Sequence, residues 1–321
     1  MGQTNIPQVS VIIVNWNGRY WLEQCLPTLQ NQTSNNFEII IVDNGSTDGS
    51  DLWLQTEWTE VRLISLPQNI GFARANNIGI EASQSPYIAT LNNDTLVAQD
   101  WLAQMLTAVT APDIGMVACQ MRQWQRPEQI DSAGIELDWA GIGWNRGLNQ
   151  PVAHHQVSQE VFGPCAGAAL YRRQMLDEIG YFDEDFFAYY EDVDLAWRAQ
   201  HAGWRCVYQP TAQVYHWHSA TASQAMPFKT FLLGRNKVWT ILKNYPWPAI
   251  MWTWPLILGY DSVAIIYQCW QQRNLAALRG RLAGLTNAPS MWAKRSSPHT
   301  ICPAYMIPVR LFWQQLKSHQ K

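Results

Sequence analysis

The 321-residue chain lacks the motifs of several well-known functional classes. Its six cysteines are far apart and form no Cys-x-x-Cys pair, which argues against a zinc site or redox motif and favours reduced thiols. Neither Gly-x-Gly-x-x-Gly nor Gly-x-x-x-x-Gly-Lys is present, so a dinucleotide-binding Rossmann domain and a phosphate loop are disfavoured. The N-terminus has no basic region and no long apolar run, and we therefore expect no signal peptide.

Acidic residues are also nearly absent from the second part of the chain. Residues 1–194 hold 24 Asp or Glu and 8 Lys or Arg, whereas residues 195–321 hold 14 Lys or Arg and a single acid, Asp261. Such an asymmetry indicates an anionic partner, with nucleic acid and anionic lipid as the two candidates. No nucleic-acid-binding motif accompanies the basic residues. We therefore expect an anionic membrane surface as the partner and no nucleic acid.

Short apolar runs alternate with helical patterns in the first hundred residues. Strands are predicted at residues 9–14, 37–42, 61–66 and 87–91, with helices between them. This alternation implies βαβ units and an α/β fold with a mostly parallel, Rossmann-like sheet and flanking helices. Further along, residues 116–121, 165–171 and 204–208 predict strands, residues 193–203 predict a helix, and 123–159 has no regular pattern. Ligands bind at the carboxyl ends of strands in such sheets, and polar clusters follow the first, second and fourth strands.

Two of these clusters contain a candidate carboxylate. Asp43 ends the second strand and could accept hydrogen bonds from a base or a ribose; the alternative is a local Asx turn with Asn44 and Gly45. Asp94 follows two amides and suits a divalent cation that takes its other ligands from a diphosphate. The alternative for Asp94 is an N-cap of a helix over residues 97–109.

The stretch 182–195 contains six acidic residues among five aromatic ones. Glu191 and Asp192 are adjacent and follow Tyr189 and Tyr190. A carboxylate in a partly apolar pocket beside a second negative charge has a raised pKa and can remove a proton from a hydroxyl. We expect the acids at 183–185 to form a solvated loop, and Asp194 to cap the helix that follows.

The successive motifs resemble those of family 2 inverting glycosyltransferases with the GT-A fold, in the rhamnosyltransferase-like branch. The resemblance covers roughly residues 8–245. The matching segments are 9–18 (VSVIIVNWNG), 43–50 (DNGSTDGS), 69–79 (NIGFARANNIG), 92–94 (NND) and 182–203. The usual Asp-x-Asp of the family is here Asn92-Asn93-Asp94, which leaves one carboxylate where two are often found.

The resemblance implies transfer of a sugar, with rhamnose as the first candidate, to a hydroxyl of a glycan or lipid-linked acceptor in cell-surface polysaccharide synthesis. The donor would be dTDP-rhamnose or a UDP-sugar, and the cofactor Mg²⁺ or Mn²⁺. Asp192 would be the base, with Glu191 as the fallback, and Asp94 would bind metal with His216 beside it (His218 is the second choice). The implied nucleotide-sugar-binding residues are Asn15, Asp43, Asn44, Gly71, Arg74, Asn77, Asn93, Gly167 and Arg235. The alternative function is a catalytically silent nucleotide-sugar-binding or scaffold protein at the membrane.

We expect a catalytic domain at residues 1–227 and a basic, Trp-rich helical extension at residues 228–321. Residues 228–243 predict an amphipathic helix in which Arg235 could clamp a diphosphate. Residues 247–267 are apolar, but Pro248, Pro255 and Gly259 interrupt them and Asp261 would be costly in lipid. An interfacial helix or shallow hairpin on the cytoplasmic leaflet is therefore predicted, with a buried core helix as the alternative. The protein would then be cytoplasmic and peripheral on the inner face of the cell membrane.

Overall fold

A computed structural model describes residues 6–217, 226–295 and 306–309. The described strands, in chain order, are β1 Val9–Asn15, β2 Phe37–Asp43, β3 Arg62–Ser65, β4 Tyr87–Asn92, β5 Thr95–Val97, β6 Ile114–Gln123, β7 Arg126–Ser132, β8 Ile135–Asp138, β9 Gly143–Asn145, β10 Gln159–Val161, β11 Ala168–Arg172, β12 Arg205–His216 and β13 Met306–Ile307. The described α-helices are α1 Arg19–Gln30, α2 Ser50–Glu57, α3 Phe72–Ala82, α4 Trp101–Thr107, α5 Arg173–Ile179, α6 Glu191–His201, α7 Met226–Asn244, α8 Trp247–Gln272, α9 Ala276–Thr286 and α10 Ala288–Ala293.

Ten of the strands form one sheet in the order β10-β12-β6-β11-β4-β1-β2-β3, with β5 on β12 and β7 on β6. The block β4-β1-β2-β3 is parallel, as the alternation of strands and helices predicts, whereas β11 runs antiparallel to both β4 and β6. The α/β expectation is confirmed, but the sheet is mixed rather than mostly parallel, because β5, β7, β10 and β11 all run antiparallel to their neighbours. A smaller sheet has the order β13-β8-β9.

The register of the parallel block sets the position of the site. Asn15 is paired with Asp43 across β1 and β2, and Val14 is paired with Asn92 across β1 and β4. These strands are apolar and buried along most of their length, as central parallel strands are. Helix α3 packs so closely on β1 that a Cβ at Gly79 would lie 2.5 Å from Cγ2 of Ile12. The polar ends of β1, β2 and β4 therefore meet at one edge of a rigid sheet.

Several local predictions are wrong. The segment 123–159 is not irregular, because β7, β8 and β9 lie within it. No helix begins at residue 97, since residues 95–97 form β5 and α4 begins at Trp101. The helix after the acid-rich stretch begins at Glu191, so both candidate catalytic carboxylates lie in its first turn. These errors share a cause: short strands and helix starts are decided by tertiary pairing, which local patterns do not contain.

Helix α8 runs without interruption from Trp247 to Gln272, so the predicted interruption and the shallow hairpin are wrong. Pro248 lies in the first turn, where proline is tolerated, and Pro255 is accommodated within the helix. Asp261 is paired with Lys237 of α7 at 2.8 Å and with Arg281 of α9 at 2.9 Å. These partners offset the cost of a carboxylate in an otherwise apolar helix.

Candidate active site

A lattice of hydrogen bonds joins the ends of β1, β2 and β4. The buried amide of Asn15 donates to Oδ1 of Asp43 at 2.9 Å and to Oγ of Ser50 at 2.9 Å. Its oxygen accepts from Nδ2 of Asn93 at 2.8 Å. Gly18 makes room for this contact, since a Cβ there would lie 2.1 Å from Nδ2 of Asn93. Asn15, Asp43 and Asn93, predicted together from the sequence, are therefore brought together by the fold.

Asp43 also closes a local turn, as its alternative interpretation predicts. The backbone N–H of Ser46 donates to Oδ2 of Asp43 at 3.0 Å. A carboxylate has about four lone-pair positions, so this oxygen can accept one further hydrogen bond. The local turn and a ligand contact at Asp43 are thus compatible.

Asn44 uses its side chain within the protein. Its amide donates to Oδ1 of Asn69 at 3.0 Å, and its oxygen accepts from the N–H of Ile70 at 2.9 Å. These bonds fix the turn that leads to Gly71, whose φ of 95° is a conformation that favours glycine. The predicted contact of Asn44 with the donor stays a prediction, since the described bonds give it a supporting position.

Asp94 lies beside His216, as the proposed cation site requires. Nε2 of the imidazole is 3.1 Å from Oδ1 of Asp94, and Nδ1 is 2.7 Å from Oδ2 of Asp131. Burial lowers the pKa of His216, but the hydrogen bonds with Asp131 and Asp94 outweigh it and raise the pKa to about 10. Asp131 lies on β7, in the segment for which no regular structure was predicted, and sequence reasoning missed it. His218 lies outside the described residues.

Few side chains near Asp94 could bind a metal ion. Within the described ranges, no group of three or more His, Cys, Asp or Glu side chains could hold a metal ion. One carboxylate and one imidazole still suit Mg²⁺ or Mn²⁺, provided that a diphosphate and water supply the remaining ligands. The imidazole would also have to release its proton, because ligation uses the neutral form.

Glu191 and Asp192 differ in their surroundings. Glu191 is 5% exposed, and burial together with the charge of Asp192 raises its pKa well above the usual value. Asp192 keeps partial access to solvent, and its pKa is raised by burial, an effect that backbone N–H groups partly offset. The N–H of Ala166 donates to Oδ2 of Asp192 at 3.2 Å. Asp192 is therefore the accessible member of the pair.

Gly167 connects this carboxylate to the end of β4. Its carbonyl accepts from the N–H of Asn92 at 2.8 Å, and a Cβ at Gly167 would lie 3.0 Å from Nδ2 of Asn92. Ala166, the donor to Asp192, is its direct neighbour in the chain. The small residues at 166–167 thus bring the Asp192 carboxylate and the Asn92-Asn93-Asp94 segment to the same edge of the sheet.

Three residues before the pair have positive φ angles: Phe187 at 64°, Tyr189 at 68° and Tyr190 at 71°. Phe187, with ψ of −64°, forms a rare positive-φ γ-turn, and the N–H of Ala188 donates to the carbonyl of Phe186 at 2.8 Å. Each such residue raises the free energy of the folded state by about 1–3 kcal/mol, and its conformation is kept only where surrounding contacts stabilise it. We call residues 185–190 the strained loop. Its conformation could not be predicted from aromatic residues, which ordinarily avoid positive φ.

Two predicted donor-site residues contact the segment just before the strained loop. The amide of Asn77 donates to the carbonyl of Phe182 at 2.8 Å and accepts from the N–H of the same residue at 3.1 Å. Arg74 lies 3.5 Å from Glu184 in an exposed ion pair. Asn77 is therefore a buried clamp on the 182–184 segment, and the exposed Arg74 remains a candidate contact to the donor.

Arg235 donates to the carbonyls of Asp185 at 3.0 Å and Phe186 at 2.9 Å. Its guanidinium also lies 4.1 Å from the ring centroid of Trp239. The predicted clamp on a diphosphate therefore stays a prediction, and the described contacts of Arg235 are with the strained loop. The adjacent Asn236, which sequence reasoning did not assign to the site, donates to the carbonyls of Phe186, Ala188 and Tyr189 at 2.9, 2.9 and 2.7 Å.

Asp194 is not a helix cap. It is buried in the first turn of α6, where Arg198 and Lys243 each approach Oδ2 at 2.9 Å and Asn244 donates to Oδ1 at 2.8 Å. Burial raises its pKa, but these partners outweigh burial and hold the pKa below the usual value. Asp183 pairs with Lys243 at 2.7 Å and is almost buried, so the prediction of a solvated loop is wrong at this position.

Much of the charge asymmetry is neutralised within the molecule. Lys243 and Lys294 pair with acids of the stretch 182–195, and Lys237 and Arg281 pair with Asp261. In all, six basic side chains after residue 194 form described ion pairs: Arg198, Arg205, Lys237, Lys243, Arg281 and Lys294. Six of the 14 Lys and Arg residues after residue 194 thus take part in ion pairs within the protein, and the asymmetry is a weaker indication of an anionic partner than the sequence suggests.

The sheet topology and the polar strand ends define the class: this is an α/β protein of the GT-A fold. The fold is shared by a mannosyltransferase from Pyrobaculum calidifontis in complex with GDP-Man and Mn²⁺, with a TM-score of 0.56 and 17% identity over 99% of this chain and 80% of that one. It is shared as well by GalNAc-T7 with UDP, GalNAc and Mn²⁺, with a TM-score of 0.56 and 15% identity over 74% and 50%.

The sequence model described as Glycosyl transferase family 2 matches residues 10–180, and the chain belongs to this family. It is 28% identical to the N-acetylglucosaminyl-diphospho-decaprenol L-rhamnosyltransferase of Mycobacterium tuberculosis over 68% of this chain and 78% of that protein. It is 25% identical to the O-antigen biosynthesis protein RfbC of Myxococcus xanthus over 71% of this chain but only 19% of that protein. It likewise spans only 25% of an uncharacterized protein of Sinorhizobium fredii, at 27% identity over 67% of this chain. The predicted family and fold are confirmed.

Proposed function

We propose that the chain catalyses inverting sugar transfer, with Asp192 as the base that removes the proton of the acceptor hydroxyl while the hydroxyl attacks the anomeric carbon of the donor. The observation that carries the proposal is the environment of this carboxylate. It is partly accessible, its pKa is raised by burial, and it is held by the N–H of Ala166 beside the end of β4. The more deeply buried Glu191 holds its proton more tightly and provides the neighbouring wall.

The nucleotide-diphosphate sugar would lie along the ends of β1, β2 and β4. Asp43 would accept a hydrogen bond from the base or ribose, using the remaining lone pair of Oδ2. Asn15 and Asn93 would keep this carboxylate and the end of β4 in register. Arg74, exposed near Glu184, would contact the donor from the side of α3.

We infer that Asp94 and His216 would hold a Mg²⁺ or Mn²⁺ together with the diphosphate. When bound, the cation neutralises negative charge on the departing diphosphate. Asp131 would then orient the His216 ring through Nδ1, as carboxylates do for metal-bound histidines. The two solved structures that share the fold contain Mn²⁺, which supports this inference.

The name of the Mycobacterium tuberculosis relative supports rhamnose as the transferred sugar and a lipid-linked diphosphate as the acceptor. Such an acceptor places the reaction at a membrane. Helix α8, with 26 residues, is the described helix that is long and apolar enough to cross a bilayer, and 18 consecutive residues of it have a mean hydropathy of 1.4. It packs inside the protein through a narrow stripe that includes Ala249, Thr253 and Ala264, whereas Trp252, Ile266 and Trp270 are 85%, 70% and 77% exposed. So large an apolar surface indicates contact with lipid.

Transfer is tested by incubating the protein with Mn²⁺, a polyprenyl-diphosphate sugar acceptor and a panel of nucleotide sugars. We expect turnover with dTDP-rhamnose or a UDP-sugar and an inverted anomeric configuration of the product by NMR. Activity should decline as the pH falls through the raised pKa of Asp192, because only the deprotonated base accepts a proton. Retention of anomeric configuration would exclude the single-displacement mechanism.

Membrane contact is tested with Trp252→Ser, and Leu52→Ser serves as the control because Leu52 is an exposed apolar residue on α2, 64% accessible. We expect the first change to weaken vesicle binding roughly 10- to 150-fold, since it removes roughly 1.5–3 kcal/mol of apolar burial, and the second to leave it unchanged. Binding should persist in neutral vesicles, because the exposed surface of α8 is apolar and four cations of the extension already form ion pairs within the protein. Equal binding by all three proteins would contradict the proposed role of α8.

A further inference from the structure

The strained loop is held almost entirely by its carbonyl groups. The side-chain amide of Asn236 donates to three carbonyls of the loop. The guanidinium of Arg235 donates to the carbonyls of Asp185 and Phe186. The carbonyl of Phe187 accepts from the N–H of Ala73 at 3.1 Å. Every carbonyl from residue 185 to residue 189 thus has a described partner, and most of these partners come from α7.

Asn236 is well suited to this position. It is fully buried, and its oxygen accepts from Nε of Arg235 at 2.9 Å, which orients the amide so that Nδ2 faces the loop. Ring contacts support the same arrangement, since Phe228 of α7 lies 5.7 Å from Phe187 and the ammonium of Lys229 lies 5.4 Å from the ring of Tyr189. The helix therefore contacts the loop along several turns.

The same helix holds the chain on the other side of the candidate base. Lys243 and Asn244 bind Asp194, two residues after Asp192. The upstream carbonyls are bound near residue 236 and the downstream carboxylate near residue 244, so α7 brackets Glu191 and Asp192. The first turn of α6 has little freedom to shift while both contacts are made.

We propose that Asn236 is a positioning residue for transfer: it holds the strained loop in the conformation that delivers the Asp192 carboxylate to the edge of the sheet. This inference rests on the proposed function, in which Asp192 is the base. It also means that the helical extension, rather than the catalytic domain alone, determines the geometry of the base.

The test compares Asn236→Ala, Asn236→Asp and the milder Asn236→Ser with Thr240→Val. Thr240 is buried one turn further along α7, and its hydroxyl has no hydrogen-bond partner in the described part of the chain, so Thr240→Val controls for a change inside the same helix. Asn236→Asp is nearly isosteric but removes both N–H donors and sets negative charge against the carbonyls. Asn236→Ser retains one donor and should fold if the other variants do not.

We expect kcat to fall about 100-fold in Asn236→Ala, because small displacements of a catalytic group have effects of this size. The KM for the donor should be unchanged, since the hydrogen bonds between the ends of β1, β2 and β4 are intact. The acid limb of the pH profile should move to lower pH, because a loosened loop admits water to Asp192 and lowers its pKa. Amide hydrogen exchange should accelerate at residues 186–195 and remain slow in β1 and β2. Asn236→Asp should be at least as impaired, Asn236→Ser less so, and Thr240→Val unaffected.

Wild-type kcat in Asn236→Ala would overturn the inference, as would a fall in kcat with an unmoved pH profile and faster exchange throughout the sheet. The latter pattern would show only a loss of stability. Absence of transfer by the wild-type protein would instead overturn the proposed function, and exchange confined to residues 186–195 would still show that Asn236 holds the loop.

Discussion

The donor side and the base side of the site are built in different ways. Asn15 and Asp43 end β1 and β2, Asn93 directly follows β4, and the three side chains bind one another across the edge of the parallel block. The strained loop has three positive φ angles and is held by Asn236, which lies 50 residues from Phe186 in the chain. One side is placed by the pairing of the strands and has a single non-glycine positive φ, at Asn17, whereas the other has three and depends on a helix outside the sheet.

This difference indicates where each side is vulnerable. A change on the donor side should affect nucleotide affinity and leave the fold intact, since the strands are fixed by a large apolar core. A change on the base side should affect folding and turnover together, because the strain is offset only by long-range contacts.

The largest effect is expected at Asp194, where the base side has its most buried charge. Asp194→Ala should lower the free energy of unfolding by about 3–5 kcal/mol, because Lys243 and Arg198 lose a buried partner. Asp185 lies in the same stretch, 182–195, and forms an exposed ion pair with Lys294. Asp185→Ala should therefore lower the free energy of unfolding by less than about 1 kcal/mol. Denaturant unfolding measures both, and equal costs would contradict the ranking.

The same residue gives a pH dependence. The folded-state pKa of Asp194 is below its usual value, so its stabilisation is fully present above the unfolded pKa of about 3.9 and is lost as the pH falls through the folded pKa. Acid titration of stability should show this loss in the wild-type protein and not in Asp194→Ala. A loss that is identical in both proteins would assign acid unfolding to other groups.

Gly71 is where the two sides touch, and Gly71→Ala should affect both. A Cβ there would lie 2.7 Å from the carbonyl oxygen of Phe187, in addition to the strain of its positive φ. Gly203→Ala isolates the strain, since φ is also positive but no atom of the described residues would lie within 4 Å of a Cβ there. We expect about 1–2 kcal/mol for Gly203→Ala and about 1–3 kcal/mol more for Gly71→Ala. Coinciding thermal unfolding curves of the two variants would show that Phe187 can move away from the new methyl group at little cost.

The donor side is tested by Asp43→Ala. The change should weaken binding of the nucleotide diphosphate by about 1.5–3 kcal/mol, which is the usual value of a hydrogen bond to a charged group. It should also lower the free energy of unfolding by about 1–3 kcal/mol, because the buried amide of Asn15 and the N–H of Ser46 lose their acceptor. Calorimetric titration with dTDP and UDP measures the affinity, and Asp51→Ala, a carboxylate in the first turn of α2, is the control. Unchanged affinity in Asp43→Ala would remove this residue from the donor site.

The sequence could predict the donor side because its signals are local. A buried run that stops at Asp43 or Asn92 already implies a strand end, and the parallel topology brings such ends together. The placement of His216 beside Asp94 came from the family resemblance, and the pairing of β5 with β12 gives its structural basis.

The remaining contacts come from far along the chain. Asp131 reaches His216 across 85 residues, and Lys243 reaches Asp194 across 49. Nothing in the local pattern indicates that Asp183 is buried by lysines, or that Phe187 and the two tyrosines adopt positive φ. The basic residues of the extension suggest a lipid surface in the sequence, whereas four of them, Lys237, Lys243, Arg281 and Lys294, are paired with acids of the same molecule. Only the tertiary structure separates these two uses of positive charge.

The central claim is that Asp192 removes the acceptor proton, and the turnover of Asp192→Asn beside that of Glu191→Gln tests it most directly. Asn keeps the shape of the side chain but cannot act as a base, so we expect kcat to fall roughly 10²–10⁴-fold with unchanged nucleotide affinity. Glu191→Gln should retain most of its turnover, because burial and the charge of Asp192 already favour the protonated form of Glu191. Wild-type turnover in Asp192→Asn would contradict the account.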